Sequence, residues 1–151
     1  MSSATPPRWQ LSSRHDHEST TRTSTGRAGI VALLQVELVA ADRMVWSGNA
    51  SLVLARTLDG DIGVLPGHQP VLAILAGSTV TVRTPDGTVS AAVHGGFFSV
   101  ADNRVSILAE SAELAEEIDV ERAQRAAERA RTAGAEDDLM RAETRIRVAS
   151  L

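Results

Sequence analysis

The chain has 151 residues, a formal net charge of −4, and 43% hydrophobic but only 3% aromatic residues. That length holds one domain with an appendage, and the composition asks for a core of Val, Ile, Leu and Ala. The acidic balance excludes a general nucleic-acid binder, which needs a dense basic surface, and the absence of cysteine excludes disulfides and thiolate metal sites.

Residues 1–33 are rich in Ser and Thr, contain Pro6, Pro7, Gly26 and Gly29, and show no hydrophobic period. Too few apolar groups are present to offset the backbone entropy of ordering, so the segment is expected to be disordered. Its four arginines against two acids leave a transit peptide as a second reading. His15-Asp16-His17-Glu18 has ligand residue types but no preset geometry, and no metal is expected there. The longest apolar run, Ile30 to Ala41, is broken by Gln35 and Glu37. It falls short of the roughly 20 apolar residues of a membrane span.

Residues 34–115 read as strands. Thr79-Val80-Thr81-Val82-Arg83 alternates strictly, Pro85-Asp86-Gly87 supplies a turn, and Thr88 to Val93 returns, which predicts a hairpin over 78–93. Phe97 to Ala101, Asp102-Asn103 and Arg104 to Ala109 predict a second. Leu34 to Ala41, Ala50 to Arg56 and Val71 to Leu75 add further strands, and the continuously apolar Val71–Leu75 is expected to be covered on both faces. Short strands with frequent turns indicate a β-sandwich or barrel.

Residues 118–151 change period. Val120, Ala123, Ala127 and Ala130, then Leu139, Ala142, Ile146 and Ala149, mark two amphipathic helices. Asp119 is the expected N-cap, and Thr132 to Asp138, with Gly134, the separator. The fold class is therefore α+β: an N-terminal β-sandwich followed by a C-terminal two-helix antiparallel hairpin. Alanine methyls offer far less than the roughly 1.5–3 kcal/mol of a buried Leu or Val, and helices this short are marginal alone. The hairpin is expected to dock loosely.

The stretch Gly60-Asp61-Ile62-Gly63-Val64-Leu65-Pro66-Gly67-His68-Gln69-Pro70-Val71-Leu72 resembles the signature of the epsilon subunits of bacterial F-type (rotary) ATP synthases. Leu34-Gln35-Val36-Glu37-Leu38-Val39, Val45-Trp46-Ser47-Gly48, His94-Gly95-Gly96-Phe97-Phe98-Ser99-Val100 and Val105-Ser106-Ile107-Leu108-Ala109-Glu110 resemble the family's flanking segments in the same order. The likeness runs from about 34 to 123, and the second helix fits more loosely.

The resemblance implies a non-catalytic central-stalk subunit that couples proton-driven rotation of the membrane c ring to ATP synthesis. Its partners would be the gamma subunit, the c ring and, through the helices, the catalytic alpha and beta subunits. Its place would be peripheral, on the cytoplasmic side of the cell membrane, with membrane contact only through the complex. By the same likeness Asp61, Pro66, Gly67 and His68 belong to the c-ring-facing loop. Ile118, Asp119, Arg122 and Ala123 match the head-of-helix motif that binds ATP in some members, with Glu113 and Arg129 at further matching positions. No cofactor is required, and ATP would be a weak regulatory ligand. An ordinary N-cap at Asp119 with a solvated Arg122 stands beside that reading, because Val148 occupies a place where the family has arginine. Arg141, Arg145 and Arg147 would form an inhibitory basic face on the last helix, again with a solvated face as the alternative.

No G-x-S-x-G, P-loop or H-E-x-x-H sequence is present, and neither His68 nor His94 has an acid at motif spacing. A free-standing sandwich binding module, with the helices as an oligomerisation arm, is the rival reading. A mitochondrial or plastid equivalent is the other.

Overall fold

The computed structural model describes residues 32–151. The His15–Glu18 cluster and nearly all of the segment expected to be disordered lie outside the described residues. Ten strands come first: β1 (Leu34–Ala40), β2 (Met44–Ala50), β3 (Leu52–Thr57), β4 (Gly60–Val64), β5 (Val71–Ile74), β6 (Ser78–Thr84), β7 (Gly87–His94), β8 (Phe97–Ala101), β9 (Arg104–Ala109) and β10 (Ser111–Leu114). A 3-10 turn (Ala115–Glu117) leads to α1 (Val120–Ala133) and α2 (Glu136–Ala149).

The strands make two five-stranded sheets, ordered β2-β1-β9-β8-β5 and β10-β7-β6-β3-β4. All pairings are antiparallel except β1 with β9. In β1, Leu34, Val36, Leu38 and Ala40 point into the core while Gln35 and Glu37 face out, the period-2 alternation of a half-buried strand. The core between the sheets is aliphatic apart from Phe98, and no helix residue belongs to it. Both predicted hairpins form: β6 with β7 across Pro85-Asp86, and β8 with β9 across Asp102-Asn103. Asp102 and Asn103 take φ of 49° and 60°, the left-handed pair of a tight hairpin turn.

Four expectations need correction. Asp61, expected in a loop, lies in a strand, Gly60–Val64, paired with β3. Val71–Leu75 is not covered on both faces: β5 is an edge strand with Leu72 74% exposed. The helices are separated by Gly134 and Ala135 alone, not by Thr132 to Asp138. Gly134 takes φ 68° and its N–H reaches the last carbonyls of α1, so the left-handed cap stops one helix and the next starts at once.

The fourth concerns α2, which is buried on two faces. Ala142 is buried, and so are Thr144 and Val148, which lie about 200° around the helix from the Ala142 stripe. α1 packs along α2 with Ala123, Ala127 and Ala130 buried. α2 in turn rests on β6 and β7. Those strands accordingly carry buried residues on both faces, Ala91 and Val93 inward, Ala92 and His94 outward.

Candidate functional site

The junction between sandwich and hairpin is built from local rules. Asp119 has extended backbone, and its side chain accepts a hydrogen bond from Arg122 N at 3.0 Å. That satisfies one of the free N–H groups at the start of α1, and Glu121 in the first turn suits the helix dipole. One turn earlier the Glu117 carboxylate folds back to accept from Leu114 N at 3.0 Å. Arg43, in the β1–β2 turn, donates from Nη1 to Glu117 Oε1 at 3.0 Å and from Nη2 to Glu117 Oε2 at 2.9 Å. The Arg43 hydrogen bond, then that of the Leu114 amide, holds Glu117 below the usual carboxylate range. The linker is thereby pinned to the sandwich.

Above this pin lies a cleft of about 270 Å³. Glu113 and Glu117 line its sandwich side, Ile118 and Asp119 its floor, and Arg122, Ala123, Ala126 and Arg129 the flank of α1. All six residues matched to the ATP motif are brought together there. Arg145 of α2 lines it as well, though the sequence assigned it to the basic face. Its Nε donates to Glu113 Oε2 at 2.6 Å, which ties α2 to β10. Among the described residues Arg122 and Arg129 form no ion pair within 4.0 Å.

Arg141, Arg145 and Arg147 do not form one basic face. Arg147 is two residues, about 200°, from Arg145, and lines a different groove with Leu54, Ile62 and Thr79. Arg141 pairs with Asp138 at 3.8 Å.

The residues assigned to the ring-facing loop also separate. Pro66, Gly67 and His68 lie in the turn after β4, where His68 N donates to Leu65 O at 3.1 Å. Gly67 takes φ 85° and donates its N–H to Asn103 Oδ1 at 2.6 Å. The loop is thus fastened to the β8–β9 turn. His68 Nδ1 stands 2.7 Å from Gln69 O, so that nitrogen carries the proton. Asp61 is not in this loop. It lies near the other end of β4, paired with Arg56 at 2.7 Å, and that guanidinium holds its carboxyl below the usual range.

A feature missed in the sequence lies on the outer face of the first sheet. Register places Met44 opposite Val39, Val39 opposite Leu108, Leu108 opposite Phe97, and Phe97 opposite Ile74. One apolar row thus crosses all five strands. Met44, Leu108, Phe97 and Ile74 are each slightly over half exposed, with Leu72 two residues along β5 from Ile74. Scattered exposed hydrophobics are ordinary, but a contiguous row is not. The alternation was partly legible; the registry that aligns five strands was not.

A family profile described as "ATP synthase, Delta/Epsilon chain, beta-sandwich domain" matches residues 33–115. The chain belongs to the ATP synthase delta/epsilon chain family. It is 61% identical over 122 residues to the ATP synthase epsilon chain of Streptomyces avermitilis, covering 80% of this chain and 98% of that one. The epsilon chain of Thermobifida fusca is 56% identical over 113 residues, covering 72% and 82%. Among solved structures, a chain of the Euglena gracilis mitochondrial ATP synthase, described as OSCP/F1/c-ring in rotational state 1, superposes with a TM-score of 0.62. That match has 28% identity over 82% of this chain and 81% of that one. Membership makes the chain an epsilon-type subunit of the ATP synthase, not an enzyme in its own right. Among the described residues no helix is long and apolar enough to cross a membrane.

Proposed function

We propose that the chain is a rotor subunit of the ATP synthase central stalk, held on the cytoplasmic side of the cell membrane through its complex. In this reading it couples proton-driven rotation of the c ring to ATP synthesis. The uncovered apolar row from Met44 to Ile74 carries the proposal. The hairpin covers the second sheet, so the first sheet is left with a hydrophobic face that a partner must remove from water. The gamma subunit docks on this row, and the Pro66-Gly67-His68 loop, braced by Asn103, meets the c ring. The hairpin acts as a brake on ATP hydrolysis when it leaves the sandwich and reaches the catalytic alpha and beta subunits. Arg145 would have to release Glu113 for that to happen. The decisive experiment is co-purification with the gamma subunit. Replacing Ile74→Ser and Phe97→Ser together should leave the sandwich folded and weaken gamma binding at least about tenfold, as for loss of central apolar anchors. Undiminished capture of the folded double variant would remove the row as the gamma site.

A second reading attaches to the cleft: ATP binds there as a regulatory ligand, its phosphates held by Arg122 and Arg129. The assembly of all six motif residues around one cavity supports it. The small volume and the carboxylates of Glu113, Glu117 and Asp119 keep the affinity low. Calorimetry with the full chain should show saturable ATP binding that Arg122→Ala weakens at least about tenfold. Absence of saturable heat at about 1 mM ATP would end this reading.

A further inference from the structure

His94 is the last residue of β7, and its side chain is buried, with 5% of its surface exposed. Its Nε2 has no hydrogen-bond partner. The second buried side-chain atom without a partner, among the described residues, is Thr79 Oγ1. Register puts Thr79 opposite Ala92, two residues from His94 and on the same face of the sheet. Both orphan atoms therefore lie on the face that α2 covers. Gly77 shows what meets His94 there: a Cβ built on it would stand 3.9 Å from both His94 Nδ1 and Met140 Sδ. α2, with Thr144 and Val148 buried, packs on β6 and β7 over this face, and Met140 Sδ lies beside Gly77 together with the imidazole.

The charges facing His94 come from three places. α2 presents Arg145 and Arg141, and β10 presents Glu113, whose carboxylate is already committed to Arg145. The β9–β10 connection places Glu110 beside Gly95, the next residue along, where a Cβ would stand 2.8 Å from its carboxyl carbon. A proton on His94 would put a further positive charge near the guanidiniums of Arg145 and Arg141, which are paired with Glu113 and Asp138, at a buried position. Burial and these charges disfavour imidazolium there relative to neutral imidazole.

We propose that His94 is a proton-sensitive latch for the hairpin, holding α2 on the sandwich while neutral and releasing it when protonated. Burial, then Arg145 and Arg141, lowers the docked histidine from 6.5 to about 4. The undocked histidine, returned to water, takes an ordinary value near 6.5. Undocking therefore takes up a proton, so docking is fully present above pH 6.5 and is lost as pH falls from 6.5 towards 4. Between pH 7.5 and 5.5 the docking constant should fall about tenfold. That window lies above the ordinary carboxylate range, where histidine is the side chain that changes charge. The latch concerns the chain's own hairpin; only its effect on ATP hydrolysis rests on the stalk reading.

Native-state hydrogen exchange on the isolated full chain tests it, and the outcome does not depend on assembly into any complex. An undocked helix this short frays, so α2 amide protection reports docking. After correction for intrinsic rates, protection in α2 should be about tenfold lower at pH 5.5 than at 7.5, with the core strands unchanged. His94→Gln should abolish that dependence. Equal α2 protection at the two pH values in the wild type, or the same fall in His94→Gln, overturns the proposal. Should His94→Gln leave α2 unprotected even at neutral pH, NMR titration of His94 in the wild-type chain decides. Protonation that accompanies loss of the docked α2 signals supports the latch; protonation near pH 6.5 with those signals unchanged overturns it.

Discussion

At the scale of single residues, the tightest constraint on this fold is Gly96. An added Cβ would stand 1.9 Å from Leu108 O and 2.8 Å from Ala109 Cα, at φ 109°. Backbone on β9 cannot retreat without breaking its ladder to β1 and β8. Gly95 is the natural comparison: its φ is 64°, and its added Cβ would meet the Glu110 side chain, which can swing away. Gly95→Ala should therefore cost only left-handed strain, about 1–2 kcal/mol. Gly96→Ala adds a backbone clash and should lose at least about 3 kcal/mol, a large part of a typical 5–15 kcal/mol. Urea unfolding of the two variants checks the ranking; equal midpoints would refute it. Single residues also show where reading the sequence stops. Asp119 and Arg122 could be placed because a helix cap and its motif are local. His94 could be seen only as a histidine without an acid at motif spacing. What buries it, and what charges it faces, arrives with α2 from far along the chain.

At the scale of elements, β6 to β9 were legible because alternation and turn chemistry agree over each hairpin. The failures share one cause, which is that an element's second face belongs to tertiary structure. Val71–Leu75 is apolar throughout, a pattern that suits a strand buried on both faces. Here β5 is instead an edge strand whose outer face joins the apolar row. Its apolar character is spent on a surface that the chain itself does not cover. Gly60–Val64 has two glycines and an acid, so it reads as a loop, yet it pairs along its full length with β3. In α2 the stripe Leu139, Ala142, Ile146 and Ala149 was visible as the face towards a partner helix. Thr144 and Val148 were not, since a threonine and a valine with Arg145 and Arg147 between them give no clear second stripe. Arg147 was grouped with Arg141 and Arg145 by proximity in sequence, whereas the helical turn sets it on another flank.

At the scale of the whole molecule, the two sheets have opposite fates. One carries an apolar row that the chain leaves open, and the other is covered by the hairpin, which is expected to dock loosely. On α2, Val148 is the large apolar side chain wholly buried against the sandwich, a gain of about 1.5–3 kcal/mol. Against it stand two buried polar atoms without partners, each costing about 1–3 kcal/mol. Together the two cost about 2–6 kcal/mol, as much as Val148 returns or more, so Arg145–Glu113 and the burial of Ala92 weigh in the balance. The core, by contrast, contains strand residues only. A chain ending after Glu117 should therefore fold, keep its pin between Arg43 and Glu117, and melt within a few degrees of the full chain. The full chain should lose α2 before the sandwich unfolds. Calorimetry of both forms reads this directly, and a truncated chain that fails to fold would show that the hairpin is part of the core after all. Once the truncated form is shown to fold and to enter the complex, ATP hydrolysis can be compared with and without the hairpin. On the stalk reading hydrolysis rises when the hairpin is removed; no change would mean that its docking serves the stability of the free subunit and not a brake.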